Sequence, residues 1–426
     1  MIRSAKTIFA SDPPLADTLR LMLPDAPTTL LLQAALLQGD AAGKAWSQWR
    51  QTVSDPKAFL ASDRVGIKRH LPLLYRNLTN LDVDLGRDIE PYFRAARARE
   101  ELRSARYRRF LGEALNALYQ SGIEFVVGKG VTIGETLRAD PVLRHSHDID
   151  LLVRSQEIPA AADALRSAGF TSPLSHSPRS EKRFDHESGL PVELHDRLYR
   201  TPFYNGDLAG VWSRARAGNV VGIPVRLLGD TDLLVHTLVH ASVVPQRCGL
   251  SWIVDVVSLL QQRNVEGTLI DWPQVTRLAR QSHATLPMYV TCQYLGMTFK
   301  AAIPQNVMDE LRRSAAKVGP LQHLAALDGV RADLRHRRLQ AILDASRWRS
   351  RLAIARAMLL PPPEYLKAGH PDIGAMRLAT LYFTRPLHFI ARQARKIRNR
   401  LRKRVAPAQD FGAILPGNLP EPQGGN

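Results

Sequence analysis

The amino-acid sequence predicts an α+β fold, with a small mixed β-sheet between two helical regions. In residues 27–121 the apolar residues recur at helical spacing, and this spacing returns from residue 230. Between these regions, residues 122–229 contain short apolar runs that are bounded by glycines and other turn-forming residues. The change of pattern at both positions predicts a compact α/β core with helices on both sides.

The composition is ordinary for a soluble globular protein, apart from its charge. The chain has 426 residues, of which 45% are hydrophobic and 23% charged, which is enough for two or three domains. Its net charge of +18 indicates an anionic partner, such as nucleic acid, a nucleotide or an acidic membrane surface. Two cysteines do not make a disulfide framework. No apolar run reaches the ~20 residues of a membrane-spanning helix, so the sequence predicts a cytoplasmic protein without a transmembrane segment.

In chain order, the sequence divides into six predicted segments. They are an N-terminal segment (1–26), a helical arm (27–121), an α/β core (122–229), a helical domain (230–360), a basic C-terminal segment (361–406) and a tail (407–426). The tail is predicted to be disordered because it has few large apolar residues.

The individual elements follow from periodicity and from turn residues. The core is predicted to contain strands 123–127 and 149–153, helices 132–137 and 158–168, and a hairpin of segments 183–186 and 190–194. Gly169 supports the end of the second helix, since glycine often follows a helix C-terminus. Further helices are predicted at 230–240, 252–262, 272–286, 288–295 and 307–316.

Two aspartates one residue apart, Asp148 and Asp150, are the first candidate functional residues. Because alternate side chains of a strand point to the same face, their carboxylates are predicted to project together, while Ile149 and Leu151 face a core. Two adjacent carboxylates repel each other unless a cation lies between them. A hard divalent ion such as Mg²⁺ (or Mn²⁺) suits this position and also binds substrate phosphates.

A third carboxylate is predicted on the strand that ends at His195. Alternation places Val192 and Leu194 in the core, and Glu193 and His195 on the opposite face. If this strand lies beside the one with the aspartates, three carboxylates converge, which can hold two metal ions or supply a general base beside one. The alternative is that Glu193 is a solvated strand residue.

A glycine-rich loop, Gly128-Lys129-Gly130, follows the first predicted strand. Glycine lets the backbone approach a ligand closely, and the N-terminus of the following helix favours a phosphate. Lys129 is a candidate contact to phosphate oxygens, although the same tripeptide is common in solvated turns. Arg144 has three interpretations: it braces the aspartates, it binds the phosphate, or it lies on the surface.

Two histidines, His236 and His240, lie four residues apart and share a face of a predicted helix. A zinc protease has a glutamate where Thr237 stands, so a core or interdomain role is favoured over zinc binding. Asp255 is predicted to face these histidines, as a buried polar bridge or as a contact to a substrate. With His195, the three residues are candidates for a substrate cleft.

These motifs resemble those of the nucleotidyltransferase superfamily related to DNA polymerase β. The shared pattern is Gly-Lys-Gly after a strand, a short helix, and then Arg-x-x-x-Asp-Ile-Asp-Leu-Leu-Val. Within that superfamily, the chain most resembles a bacterial family of uncharacterised nucleotidyltransferases, and more distantly the AbiEii-type toxins. Residues 191–195 resemble that family's Val-Glu/Asp-Leu-His strand, and residues 232–241 and 252–260 resemble two of its helices. The similarity covers most of residues 27–395.

The resemblance implies a role for each motif. Asp148 and Asp150 would be catalytic residues that bind metal, Glu193 would take the third carboxylate position, and the loop with Lys129 would bind the nucleotide. The implied reaction is attack of an acceptor hydroxyl on the α-phosphate of an NTP such as ATP, assisted by two metal ions, with pyrophosphate leaving. The resemblance does not distinguish between RNA, a protein and a small molecule or saccharide as the acceptor. The alternative function is nucleotide or RNA binding without catalysis.

A basic segment at Arg385–Arg404 contains nine Lys or Arg residues and no acidic residue. Its apolar residues recur at helical spacing, which predicts a basic amphipathic helix. Three interpretations stay open: the helix packs on the protein, binds RNA phosphates, or lies on an anionic membrane surface.

Overall fold

The computed structural model describes residues 16–20, 23–62, 64–137, 140–171, 183–187, 189–199, 204, 207–243, 249–266, 270–317, 360, 374–384 and 387. The chain forms two compact units, residues 1–371 and 372–426. In the second unit, residues 375–384 are helical. The predicted disordered tail and nearly all of the basic segment Arg385–Arg404 lie outside the described residues, so both stay predictions.

The first helical region is made of short helices and one long one. Asp25 and Asp55, each followed by proline within two residues, begin two of them. Their side chains accept the backbone N–H of Thr28 (3.0 Å) and Ala58 (2.9 Å), which satisfies a donor at each helix start. The helices are α1 (Ala16–Arg20), α2 (Ala26–Leu36), α3 (Asp40–Thr52), α4 (Pro56–Ala61), α5 (Leu71–Thr79) and α6 (Glu90–Gln120), with a 3₁₀ helix at Arg64–His70.

The sheet region follows directly after α6. Its elements are β1 (Phe125–Val127), α7 (Lys129–Thr136), β2 (Ile149–Val153), α8 (Ile158–Ser167), β3 (Arg183–Phe184), β4 (Val192–His195), α9 (Leu208–Arg214), β5 (Arg216–Val220) and β6 (Ile223–Leu227). The strands form one mixed sheet in the order β3-β4-β2-β1-β6-β5. Strand β2 runs antiparallel to β1 and parallel to β4, and β1 runs parallel to β6.

A second set of helices completes the first unit. These are α10 (Asp230–Val243), α11 (Ser251–Val265), α12 (Trp272–Gln281), α13 (Thr285–Phe299) and α14 (Gln305–Ala316). They share one hydrophobic core with α1 to α5, and hydrogen bonds join the two helical sets: Gln33 Nε2 donates to the carbonyl of Thr298, and Gln261 Nε2 to that of Leu36 (both 2.9 Å). The two helical regions are therefore neighbours in space, although the sheet region separates them in the sequence.

The sheet has one apolar and one polar face near its centre. Ile149 and Leu151 of β2 and their register partners Val192 and Leu194 of β4 are buried in a core that the second half of α6 and helix α8 also form. Strand alternation then places Asp150 and its neighbours on β4 on the opposite face. Helix α6, 31 residues and about 46 Å long, contributes its first half to the helical core and its second half to the sheet core.

The predicted α+β fold with a small mixed sheet is confirmed. Strand β2 has the predicted bounds, and the hairpin of β3 and β4 is present. Each helix predicted between residues 230 and 317 has a counterpart, but the one predicted at 272–286 ends at Gln281, and residues 285–286 belong to α13. No helix in the described part of the chain is both long and apolar enough to cross a membrane. The boundaries at residues 121 and 229 stay predictions.

The hairpin of β5 and β6 was not predicted. Its two turn residues, Val221 and Gly222, both have positive φ values (+46° and +86°). Such a turn is normally marked by Asn-Gly or Asp-Gly, because a β-branched residue seldom adopts positive φ. The usual sequence signal for a hairpin is therefore missing here.

Candidate functional site

The loop between β1 and α7 lies against strand β2. The Gly128 N–H donates a hydrogen bond of 2.8 Å to the Asp150 carbonyl. A Cβ atom at position 128 would lie only 2.6 Å from the Asp150 Cβ and 2.7 Å from its carbonyl oxygen. A side chain does not fit there, so the glycine is what allows the loop to reach this strand. At Gly130 the nearest atom to such a Cβ, an Arg144 nitrogen, would be 3.6 Å away, which is an ordinary contact.

Three side chains converge on the polar face of β2 and β4. Asp150 and Glu193 are register partners in these parallel strands, and His195 lies two residues further on the same face. His195 Nε2 lies 3.0 Å from Asp150 Oδ1 and 3.7 Å from Glu193 Oε2. One potential ligand atom of each residue lies within 4.8 Å of the other two. Among the described residues this is the group whose side chains best suit a metal ion.

Asp148 lies in the loop just before β2, beside this group. Burial, and then the negative charge of Asp150, raises the pKa of Asp148. Burial acts in the same direction on Asp150, but the hydrogen bond from His195 and the positive charge of Lys129 hold the pKa of Asp150 below its usual value. The pKa values of the two carboxylates therefore shift in opposite directions, and the protonation state of one affects the pKa of the other.

Lys129, which was predicted to lie in a loop, is the first residue of α7, and its positive charge opposes the rise in the pKa of Asp148 and helps to lower that of Asp150. Its position combines a side-chain charge with a helix N-terminus, where backbone N–H groups favour an anion. The structure therefore brings together Lys129, Asp148, Asp150 and Glu193, the residues that the sequence predicted for a site that binds phosphate and metal, and adds His195, which was predicted for a substrate cleft.

Arg144 lies behind this group in a buried ion pair. Its guanidinium donates to both carboxylate oxygens of Asp255 on α11, at 2.9 and 3.0 Å. The side chains of Arg144 and Asp255 are only 9% and 3% exposed. Arg144 Nη1 also donates to Ser146 Oγ at 2.9 Å. Asp255 is thus a buried polar bridge, with Arg144 as its partner; a contact of either residue with a nucleotide or substrate stays a prediction.

Helix α6 holds the loop that carries Asp148. The Tyr107 hydroxyl donates to the Asp148 carbonyl at 3.0 Å, and Arg103 donates to the Ser146 carbonyl. Burial raises the pKa of Tyr107, so the hydroxyl keeps its proton. Sequence reasoning missed these residues because they stand about 40 positions earlier, in a helix whose arginine-rich and alanine-rich pattern has no distinctive motif.

The histidines of α10 lie near the same group. The His236 and His240 rings are 5.7 Å apart between centroids, and the His236 ring lies 5.1 Å from that of Tyr199. Burial, and then the positive charge of Lys129, lowers the pKa of His236 to about 3 and that of His240 well below its usual value. Both imidazoles are therefore neutral at pH 7. His236 also lines a small cavity of about 20 Å³ together with Tyr199 and Leu278.

The fold and the site define the class of this protein. The mixed sheet, with Asp148 and Asp150 at the start of β2 and Glu193 on the neighbouring strand, has the arrangement that the resemblance to nucleotidyltransferases implies. The chain belongs to the family described as uncharacterised nucleotidyltransferase, whose model matches residues 67–300. It is accordingly a transferase enzyme. No curated protein and no solved structure matches the chain.

Proposed function

We propose that the protein transfers a nucleoside monophosphate from an NTP to an acceptor hydroxyl and releases pyrophosphate, with Mg²⁺ or Mn²⁺ as cofactor. The observation that carries the proposal is the convergence of Asp148, Asp150 and Glu193 beside Lys129, in a chain of the nucleotidyltransferase family. The proposed catalytic residues are the three carboxylates, and the proposed nucleotide-binding residues are Arg144 and residues 128–130, where β1 leads into α7.

The side chains at the site fit a divalent cation. Two carboxylates and an imidazole of Asp150, Glu193 and His195 offer ligand atoms within 4.8 Å of one another, with Asp148 adjacent. Carboxylate oxygens and imidazole nitrogens are common ligands of divalent ions. When bound, such a cation would neutralise negative charge on the phosphate oxygens as a Lewis acid.

The residues of the chain would orient and neutralise the nucleotide. Lys129 and the backbone N–H groups at the start of α7 favour the triphosphate at this edge of the sheet. The missing side chain at Gly128 keeps the loop close to β2, so that Lys129 and the carboxylates face the same space. The bond from the acceptor oxygen to the α-phosphorus would form as the bond to pyrophosphate breaks. The hydroxyl proton would pass to a carboxylate, since three of them lie around this space.

The acceptor is proposed only as a class. RNA, a protein hydroxyl and a small molecule or saccharide are all compatible with this chemistry. Substitutions in the candidate substrate cleft would test which acceptor is used. The cleft residues are His195, His236, His240 and Asp255. We place the reaction in the cytoplasm, where NTPs are available.

The decisive experiment is transfer of label from α-³²P-labelled NTPs. The full-length chain is incubated with each of the four labelled NTPs, Mn²⁺ or Mg²⁺, and total RNA, protein or metabolite extract. The wild type should label one acceptor fraction, whereas Asp150→Asn should lower labelling at least 100-fold, because it removes a charge at the reacting centre. Asp163→Asn, at an exposed position of α8, is the matched control and should label normally.

Two results would contradict the proposal. One is that no fraction is labelled by the wild type with any NTP; the other is labelling that Asp150→Asn leaves unchanged. If the protein only binds nucleotide or RNA, binding should be independent of metal, insensitive to Asp150→Asn and strongly weakened by salt.

A further inference from the structure

We propose that His195 is a nitrogen ligand of the cation at this site, and that the site therefore prefers a first-row transition-metal ion, such as Mn²⁺, to Mg²⁺. The inference deepens the proposed function, because it concerns the same cation. It differs from the sequence-based prediction, in which all metal ligands are carboxylates and His195 belongs to a substrate cleft.

The spacing of the ligand atoms supports a shared cation. With metal–ligand distances of about 2.1 Å, neighbouring ligand atoms of an octahedral ion lie about 3 Å apart and opposite ones about 4.2 Å apart. His195 Nε2 lies 3.0 Å from Asp150 Oδ1 and 3.7 Å from Glu193 Oε2. All three separations within the group are below 4.8 Å. Small side-chain movements would therefore bring the three atoms around one ion.

The charge of Arg183 lies beside one oxygen of Glu193 and leaves the other oxygen nearer to His195. Arg183 Nη1 lies 3.6 Å from Glu193 Oε1, which leaves Oε2 as the oxygen nearer to His195. His195 Nε2 is hydrogen-bonded to Asp150 Oδ1. In the neutral imidazole whose proton is on Nδ1, the Nε2 lone pair would bind a cation between these two atoms, and the ring would keep its single proton. His195 is 32% exposed, so the ion can exchange with water.

The composition of the group determines which ion it favours. Two carboxylates and one neutral imidazole carry a net charge of −2, which balances a divalent ion. Mg²⁺ binds oxygen ligands and retains water, whereas imidazole nitrogen is a good ligand for first-row transition metals. Asp148 does not belong to the group of Asp150, Glu193 and His195. Binding one ion through the three carboxylates would therefore need larger side-chain movements than binding it through that group.

The test measures metal binding directly and without NTP. Mn²⁺ is added to the purified full-length chain, free Mn²⁺ is measured by electron paramagnetic resonance, and electron spin-echo modulation detects nitrogen bound to Mn²⁺. The wild type should show one bound imidazole nitrogen and should bind Mn²⁺ at least tenfold more tightly than Mg²⁺, measured by competition. His195→Gln should lose the nitrogen signal and weaken Mn²⁺ binding by about 10- to 100-fold, with a smaller effect on Mg²⁺.

His147→Gln is the matched control. His147 Nε2 lies 3.5 Å from Asp148 Oδ2, so this histidine is equally close to a carboxylate of the site, but it is 54% exposed and lies outside the described metal group. This variant should keep the nitrogen signal. If His195→Gln does not fold, as judged by circular dichroism, retention of the signal in His147→Gln, His236→Gln and His240→Gln excludes these three histidines and leaves His195 as the histidine of the metal group.

The outcomes separate this inference from the proposed function. Absence of a nitrogen signal in the wild type, or its loss in a variant other than His195→Gln, overturns the role of His195, even if NTP label is transferred. Equal affinities for Mn²⁺ and Mg²⁺ overturn the preference. A nitrogen signal in a protein that transfers no label leaves the metal site standing and removes only the proposed reaction.

Discussion

The ion pair between Arg144 and Asp255 allows a prediction that can be worked out in energy. Asp255→Asn removes the negative charge and leaves the Arg144 guanidinium buried without its counter-ion. Burial alone disfavours the charged guanidinium, and the charge and hydrogen bonds of Asp255 more than offset this, so that the pKa of Arg144 is raised. We therefore expect the variant to lose much more stability than a surface charge removal would cost.

The magnitude follows from the burial of both groups. The side chains are 9% and 3% exposed and share two hydrogen bonds of 2.9 and 3.0 Å, so little solvent screening applies. Breaking such a pair from one side costs about 3–5 kcal/mol. For a chain of this size, a loss of about 1 kcal/mol lowers the midpoint of thermal unfolding by about 2 °C, so we expect a decrease of about 6–10 °C.

The assay is urea and thermal unfolding of wild type, Asp255→Asn and the control Asp163→Asn, followed by far-UV circular dichroism. Asp163 pairs with Arg166 on the surface of α8, where both side chains are about half exposed or more, so its loss should cost less than about 1 kcal/mol. A difference below 1 kcal/mol between Asp255→Asn and this control would refute the argument. So would full stability in Arg144→Lys together with a raised KM for NTP, since that result assigns Arg144 to the nucleotide.

Three other predictions concern residues around Asp148 and Asp150. Gly128→Ala should destabilise the protein and abolish label transfer, because its Cβ would lie 2.6 Å from that of Asp150, while Gly130→Ala should keep the stability of the wild type; an equal loss of stability in the two variants, measured by urea unfolding, would be the contrary result. Tyr107→Phe should cost about 1 kcal/mol in urea unfolding and lower kcat more than KM, because it frees the Asp148 carbonyl; an unchanged kcat would exclude this role. Asp148→Asn should raise the free energy of unfolding of the metal-free protein at pH 8 but not at pH 3. The folded state raises the pKa of this carboxyl, so its ionisation opposes folding only as the pH rises above the unfolded pKa of about 4; a gain that is independent of pH would show another cause.

The sequence predicts those parts of the fold that depend on local pattern. Strand β2 is predictable because an apolar run follows directly after Asp148, and α8 because a helical pattern ends at Gly169. The pairing of β2 with β4, which brings Glu193 to Asp150, joins residues 43 positions apart. Alternation gives the face of each residue but not its neighbouring strand, so only the resemblance to a family indicated that the third carboxylate belongs to the site.

The residues that hold the site are less predictable. Tyr107 donates a hydrogen bond to the Asp148 carbonyl, 41 positions later in the chain, and Asp255 pairs with Arg144, 111 positions earlier. Tyr107 stands in no motif. Asp255 lies in the segment 252–260 that resembles a helix of the family, but a buried acidic residue in an apolar helix indicates that a partner exists without indicating which one. The position of His195 beside Asp150 likewise depends on strand register rather than on sequence spacing.

The length of α6 limits how the chain can be divided. The helix contributes residues such as Phe93 to the helical core and residues such as Leu115 to the sheet core, and it also carries Tyr107. A fragment that begins at residue 122 would lack one wall of the sheet core and the support of the Asp148 loop. We therefore expect the helical arm and the sheet to unfold in one cooperative transition, so that no excised sheet domain would retain activity.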